Sequence, residues 1–166
     1  MGRRASPVIC RYRGLLSGPS SEHIVLQSRP VSSSPCSPTR AGFLVTDGHP
    51  NRVLRVKLNG DISEVIAFPD IVPTGLALRG KDGVCMTEAG PVPHLPENGK
   101  IVAFTARSPA ARVVASGAPL LVDVEFGNGH SMYALSQGHF TPGHPEGSPA
   151  DPDTGALERV NKDGTR

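Results

Sequence analysis

The chain has 166 residues, with 17 Lys and Arg against 15 Asp and Glu, a net charge of +2. Nineteen Gly, seventeen Pro, no Trp and only 4% aromatic residues argue against long helices and for short strands joined by many turns. No apolar run approaches the roughly 18 residues that a membrane span needs.

The basic character belongs to the N-terminus. Residues 1–40 hold six Arg and one Glu, so the remainder of the chain is net acidic, which speaks against a nucleic-acid partner for the whole protein. Residues 1–41 show no sustained period, and the Ser/Pro cluster at 31–40 is of the kind that stays irregular. Within them only Ile24-Val25-Leu26 reads as a strand. Met1-Gly2-Arg3-Arg4 resembles the charged start of an export signal. Pro7, Arg11, Arg13 and Gly14 interrupt the stretch from Ala5 to Leu16, so no signal peptide is read and localisation stays open. Cys10, Cys36 and Cys85 are an odd number without Cys-x-x-Cys spacing, which predicts free thiols rather than a disulfide framework or a zinc site.

From Gly42 onwards, short β-branched runs alternate with Gly, Asp, Asn and Pro. In chain order they predict strands at Phe43–Thr46, Arg52–Lys57, Ile62–Phe68, Thr74–Leu78, Val84–Thr87, Lys100–Phe104, Ala111–Ala115, Leu121–Phe126, Met132–Leu135 and Ala156–Val160. Asn59-Gly60-Asp61, Lys81-Asp82-Gly83 and Gly127-Asn128-Gly129 supply turns with residues that tolerate positive φ. The fold class is all-β.

A displacement of 48 residues lays this pattern on itself. Pro73–Leu78 falls on Leu121–Phe126, Val84–Gly90 on Met132–Gly138, and Arg52–Val56 on Lys100–Phe104, with Ala156–Val160 as a third copy of that last run. Four short strands per repeat of this length predict the antiparallel blades of a β-propeller. The division is then a tail, residues 1–41, and about two and a half blades over residues 42–166. These are the end of one blade (42–68), a complete blade (73–115) and the start of a third (120–166). Such an arc cannot close alone. Its open faces, expected to include Val53, Ile62, Val65, Val124 and Tyr133, predict self-association.

From Asp47-Gly48-His49-Pro50-Asn51-Arg52-Val53-Leu54-Arg55-Val56 the chain resembles the ScyD/ScyE family of propellers, named for the scytonemin gene cluster. The likeness continues through Pro73–Ala77, Glu88-Ala89-Gly90-Pro91-Val92-Pro93-His94-Leu95-Pro96, Asp123–Phe126 and Tyr133–Gly138. More distantly the blades look like NHL repeats. The resemblance implies a propeller more than an activity, and its full-length members are often exported. Residues 1–41 do not share it and the last blade stops at Arg166, as expected of a mis-called, frameshifted or incomplete reading frame.

In a propeller the loops leading into each innermost strand share one side with those joining the second and third strands. That places His49, Asn51, Thr74, Glu88, His94, Gln137, His139 and His144 together as ligand-face candidates. The Pro-rich connections Gly90–Gly99 and Gly138–Gly155 hold three of the six His. The expected function is non-catalytic binding of a small molecule or a protein on that side. The alternative is a metal-dependent, lactonase-like or ester-hydrolase propeller. For it Asn51, Glu88 and Asp123 are the oxygen-bearing candidates, suited to a divalent ion such as calcium. No cofactor is otherwise predicted. No Gly-x-Ser-x-Gly elbow or Ser/His/Asp set is present.

Overall fold

Ten strands pair in the computed structural model as the repeat groups them. The structure describes residues 42–79, 82–92, 94–105, 107–145 and 148–161. The tail, its expected strand at Ile24–Leu26, Cys10, Cys36 and part of the Lys81 turn lie outside these. The strands are β1 (Gly42–Asp47), β2 (Arg52–Lys57), β3 (Ile62–Ala67), β4 (Pro73–Arg79), β5 (Gly83–Glu88), β6 (Lys100–Thr105), β7 (Ser108–Ser116), β8 (Leu121–Phe126), β9 (Met132–Ser136) and β10 (Ala156–Val160). They form three antiparallel sheets, β1-β2-β3, β4-β5-β6-β7 and β8-β9-β10. Among the described residues the helices are two 3-10 turns, Pro96–Asn98 and Asn128–His130, and none is long and apolar enough to cross a membrane.

Local chemistry explains the hairpins. Between β2 and β3, Gly60 takes φ 91°, and its N–H donates to Lys57 O at 2.9 Å while the Lys57 N–H donates to Asp61 O at 2.9 Å. Hydrogen bonds from Asn59, then from the Lys57 ammonium, hold the exposed Asp61 carboxyl below its usual pKa. β7 extends beyond the expected Ala111–Ala115 because Pro109 does not end it. β7 is an edge strand, where a proline is tolerated.

The sheets stack in chain order, which seals both faces of the middle one. Leu44, Val53 and Ile66 of the first sheet pack on Leu76, Val84, Met86, Val102 and Phe104. On the opposite face Ala77, Cys85, Ile101 and Ala115 meet Val124, Met132, Ala134 and Val160 of the third sheet. Each large apolar side chain buried there contributes roughly 1.5–3 kcal/mol. Cys85 is a free, buried thiol in this layer, and burial pushes its pKa up.

Among the described residues no sheet covers the outward faces of the first and third sheets, and here the expectation from sequence needs correction. Val53 and Val124 lie on the sealed faces and are buried. Alternation along a strand separates two faces but does not say which one a neighbour covers. The apolar residues that stand in solvent are Ile62 (61% exposed) in the first sheet and Leu135 (45%) and Leu157 (71%) in the third. Leu135 and Leu157 are direct cross-strand partners.

Candidate functional site

A repeated backbone device ties the connections at one end of the sheets. Val72 (φ 49°) and Leu120 (φ 44°) both take the left-handed conformation just before β4 and β8, 48 positions apart. This is an unusual conformation for a β-branched residue such as Val72. Each then offers its carbonyl to the residue just past the second strand of the hairpin that follows: Ala89 N–H donates to Val72 O, and Gln137 N–H to Leu120 O, both at 3.0 Å. Gly90 and Gly138 come next with positive φ, a conformation that glycine supplies without a steric penalty. The β3–β4 connection is thereby bonded to the β5–β6 connection, and the β7–β8 connection to the β9–β10 connection.

The candidate residues occupy this end in different ways. Asn51 (φ 54°) holds two chain segments together: its Oδ1 accepts the Ile71 N–H at 3.1 Å and the Val72 N–H at 2.8 Å. Its own carbonyl accepts the Phe68 N–H at 2.8 Å. His49 is exposed beside it. Thr74 faces the third sheet. Its hydroxyl donates to Leu121 O at 2.8 Å and lies within hydrogen-bond distance of Thr87 Oγ1, at 2.9 Å. Gln137 and His139 are exposed. The His139 N–H is held by Thr154 Oγ1 at 3.0 Å, and its carbonyl takes the Asp151 N–H at 2.8 Å.

His94, His144 and a residue not expected from the sequence form the one aromatic cluster of this end among the described residues. The Phe140 ring stands edge-on to His94 at 6.3 Å and to His144 at 6.4 Å between centroids, which is the preferred aromatic geometry. His94 (φ 58°) is fixed by its Nδ1–H, which donates to Gly90 O at 2.7 Å. Asn51, the 71–72 segment, residues 89–90, His94, Phe140 and His144 thus form a continuous line of contacts running across all three sheets. The available signal for Phe140 was its rarity, a lone ring in a Pro-rich loop of a chain with five Phe.

Of the three metal candidates, Asn51 already spends its carboxamide oxygen on two amides, and Asp123 Oδ1 accepts the Val124 N–H at 2.9 Å. Glu88 is only 4% exposed. Its burial pushes the carboxyl pKa up, opposed by Lys100, which pairs with it across the β5–β6 ladder. Among the described residues no three His, Cys, Asp or Glu side chains converge as a metal site.

The raised pKa of Glu88 sets the sign of a pH effect. Below the carboxyl pKa of the unfolded chain, about 4.3, both states are protonated and burial carries no charge penalty. As pH rises the unfolded chain ionises first, and stability falls until the native carboxyl has titrated. Glu88→Gln is therefore expected to raise the unfolding midpoint at pH 7 and to match the wild type below about pH 4. A pH series of thermal unfolding checks this, and a lower midpoint for Glu88→Gln at pH 7 contradicts it.

No protein-family model matches the chain, and no curated protein matches it.

Proposed function

We propose that residues 42–166 are stacked blades of a ScyD/ScyE-type propeller acting as a non-catalytic binding scaffold, with its ligand or protein partner held by loops 90–99 and 138–155. The observation that carries this reading is the His94–Phe140–His144 cluster, which joins the two loops above connections already locked to rigid sheets. Functional surfaces are commonly displayed in this way, as loops on a stiff framework. The 48-residue recurrence of strands, left-handed residues and cross-connection bonds supports the blade reading. Two imidazoles around a phenyl ring favour flat or cationic groups that stack on aromatic faces.

Fragment screening by NMR on the full chain tests the reading. Aromatic and cationic hits are expected to shift the amides of residues 94 and 139–144, and Phe140→Ala is expected to weaken them about tenfold without loss of β structure, given roughly 0.5–1.5 kcal/mol per aromatic contact and more than one contact. Hits confined to other surfaces reject it. Metal-dependent turnover of a lactone or ester, lost in Glu88→Gln, replaces it with the hydrolase reading. On the same scaffold reading, the outward faces of the first and third sheets receive a second copy of the chain.

A further inference from the structure

At the end of the middle sheet remote from the loop cluster lies a cavity of about 260 Å3. Its lining includes Cys85 and Ala103 from the face turned towards β8–β10 and Val84 and Phe104 from the other. Cys85, Ala103 and Arg112 form one cross-strand row of the first of these faces, and Ala103, Val114 and Phe126 pack on its apolar layer. Apolar Cys85, Ala103 and Val114 line it together with the cationic Arg79 and Arg112. Arg79 lies over the Phe126 ring at 5.8 Å, and both guanidiniums act on the Cys85 thiol. Among the described residues neither has a carboxylate partner. The nearby Asp82 is taken by Arg107 at 3.6 Å.

We infer that this cavity binds a small organic anion, a carboxylate on a short aliphatic or aromatic body. Two guanidiniums that have no carboxylate partner among the described residues repel one another beside an apolar lining, and a carboxylate placed between them relieves that repulsion through planar, charge-assisted hydrogen bonds. The carbon body then covers Cys85, Ala103 and Val114. The volume lies just below the roughly 300–1,000 Å3 of drug-sized sites, so the ligand is small. A sheet stacked on two others is a rigid wall for such a site, and ligand entry requires no movement of the loop cluster.

Titration calorimetry of the full chain with hexanoate and with benzoate, against hexanamide and inorganic phosphate, tests the inference. One hexanoate or benzoate per chain is expected to bind. Hexanamide, and hexanoate with Arg79→Gln or Arg112→Gln, are expected to bind about tenfold more weakly, the loss of one charged hydrogen bond. Both arginines are exposed, so the variants are expected to keep the wild-type unfolding midpoint. In a Cys10→Ser, Cys36→Ser background, hexanoate is expected to slow alkylation of Cys85 by iodoacetamide. Phe140→Ala should leave all of this unchanged, which separates the outcome from that of the loop-face reading. No heat with either carboxylate, equal affinity for hexanamide, equal affinity in both arginine variants, or phosphate binding as tightly as hexanoate overturns the inference.

Discussion

Gly75→Ala is expected to lower stability by about 3 kcal/mol, a fall of roughly 10 °C in the unfolding midpoint, and to loosen β8–β10 from the middle sheet. A Cβ at Gly75 would stand 2.5 Å from Asp123 Cα and Asp123 Oδ1 and 2.9 Å from Val122 O. These are mostly backbone atoms of the neighbouring sheet and cannot swing aside. The strain falls where the sheets are also joined by a hydrogen bond, from the Thr74 hydroxyl to Leu121 O at 2.8 Å; beside it, inside the middle sheet, Gly75 N–H donates to Thr87 Oγ1 at 2.9 Å. Separating β4 from β8 therefore breaks the polar seam along with the packing of Ala77 and Cys85 on Val124. Gly48→Ala is the control, because its Cβ would meet only Pro73 O, at an ordinary 3.7 Å. It is expected to shift stability by no more than about 0.5 kcal/mol. Denaturant unfolding of both variants gives the comparison, and a Gly75→Ala protein as stable as Gly48→Ala shows that the inner strands have room to part.

The strands were legible because their signals are local. β-branched runs bounded by turn residues, such as Arg52–Lys57 before Asn59-Gly60-Asp61, state both the strand and its hairpin. The 48-residue repeat then grouped them into sheets without any contact information. What stayed hidden depends on how sheets meet. Alternation put Val53 and Ile62 in strands but could not show that the first is sealed and the second open. Arg79 and Arg112 are 33 positions apart in the sequence, and only the sheet order β4-β5-β6-β7 brings them to one cavity. The ligand-face candidates were chosen by loop position. That reasoning reached His94 and His144 but passed over Phe140, which lies between them, because an aromatic in a loop carries no spacing rule. Asn51 was read as a possible ligand to an ion; its geometry shows a carboxamide pinning residues 71–72, an arrangement that only long-range bonds reveal.

The 166-residue chain is expected to self-associate head to tail. Each interface inside it joins one type of sheet face to the other. The face carrying Cys85, Thr87 and Ile101 is covered by Val124, Met132 and Val160, and the face carrying Leu44, Val53 and Ile66 is covered by Val84, Met86, Val102 and Phe104. By the repeat and the strand register, Tyr133, Leu135 and Leu157 of the third sheet stand where Cys85, Thr87 and Ile101 stand in the middle one. Likewise Phe43, Val45, Leu54 and Val56 of the first sheet match Val84, Met86, Val102 and Phe104. The outward faces at the two ends are therefore of opposite type, and a second copy is expected to continue the stack. Thr87 and Ile101 are almost fully buried, whereas Leu135 and Leu157 are exposed, so covering each leucine yields up to roughly 1.5–3 kcal/mol. Repeated head-to-tail contacts generate a ring or an open series rather than a two-fold dimer. Sedimentation velocity should show a weight-average mass that rises with concentration, and Leu135→Glu with Leu157→Glu should return it to that of one chain without loss of β structure. Ile62→Glu, on the opposite end face, should have the same effect; association that survives it while the leucine variants dissociate indicates a symmetric contact between third sheets. A compact, concentration-independent monomer with a sharp thermal transition shows that the end faces are already covered and rejects the stacking reading.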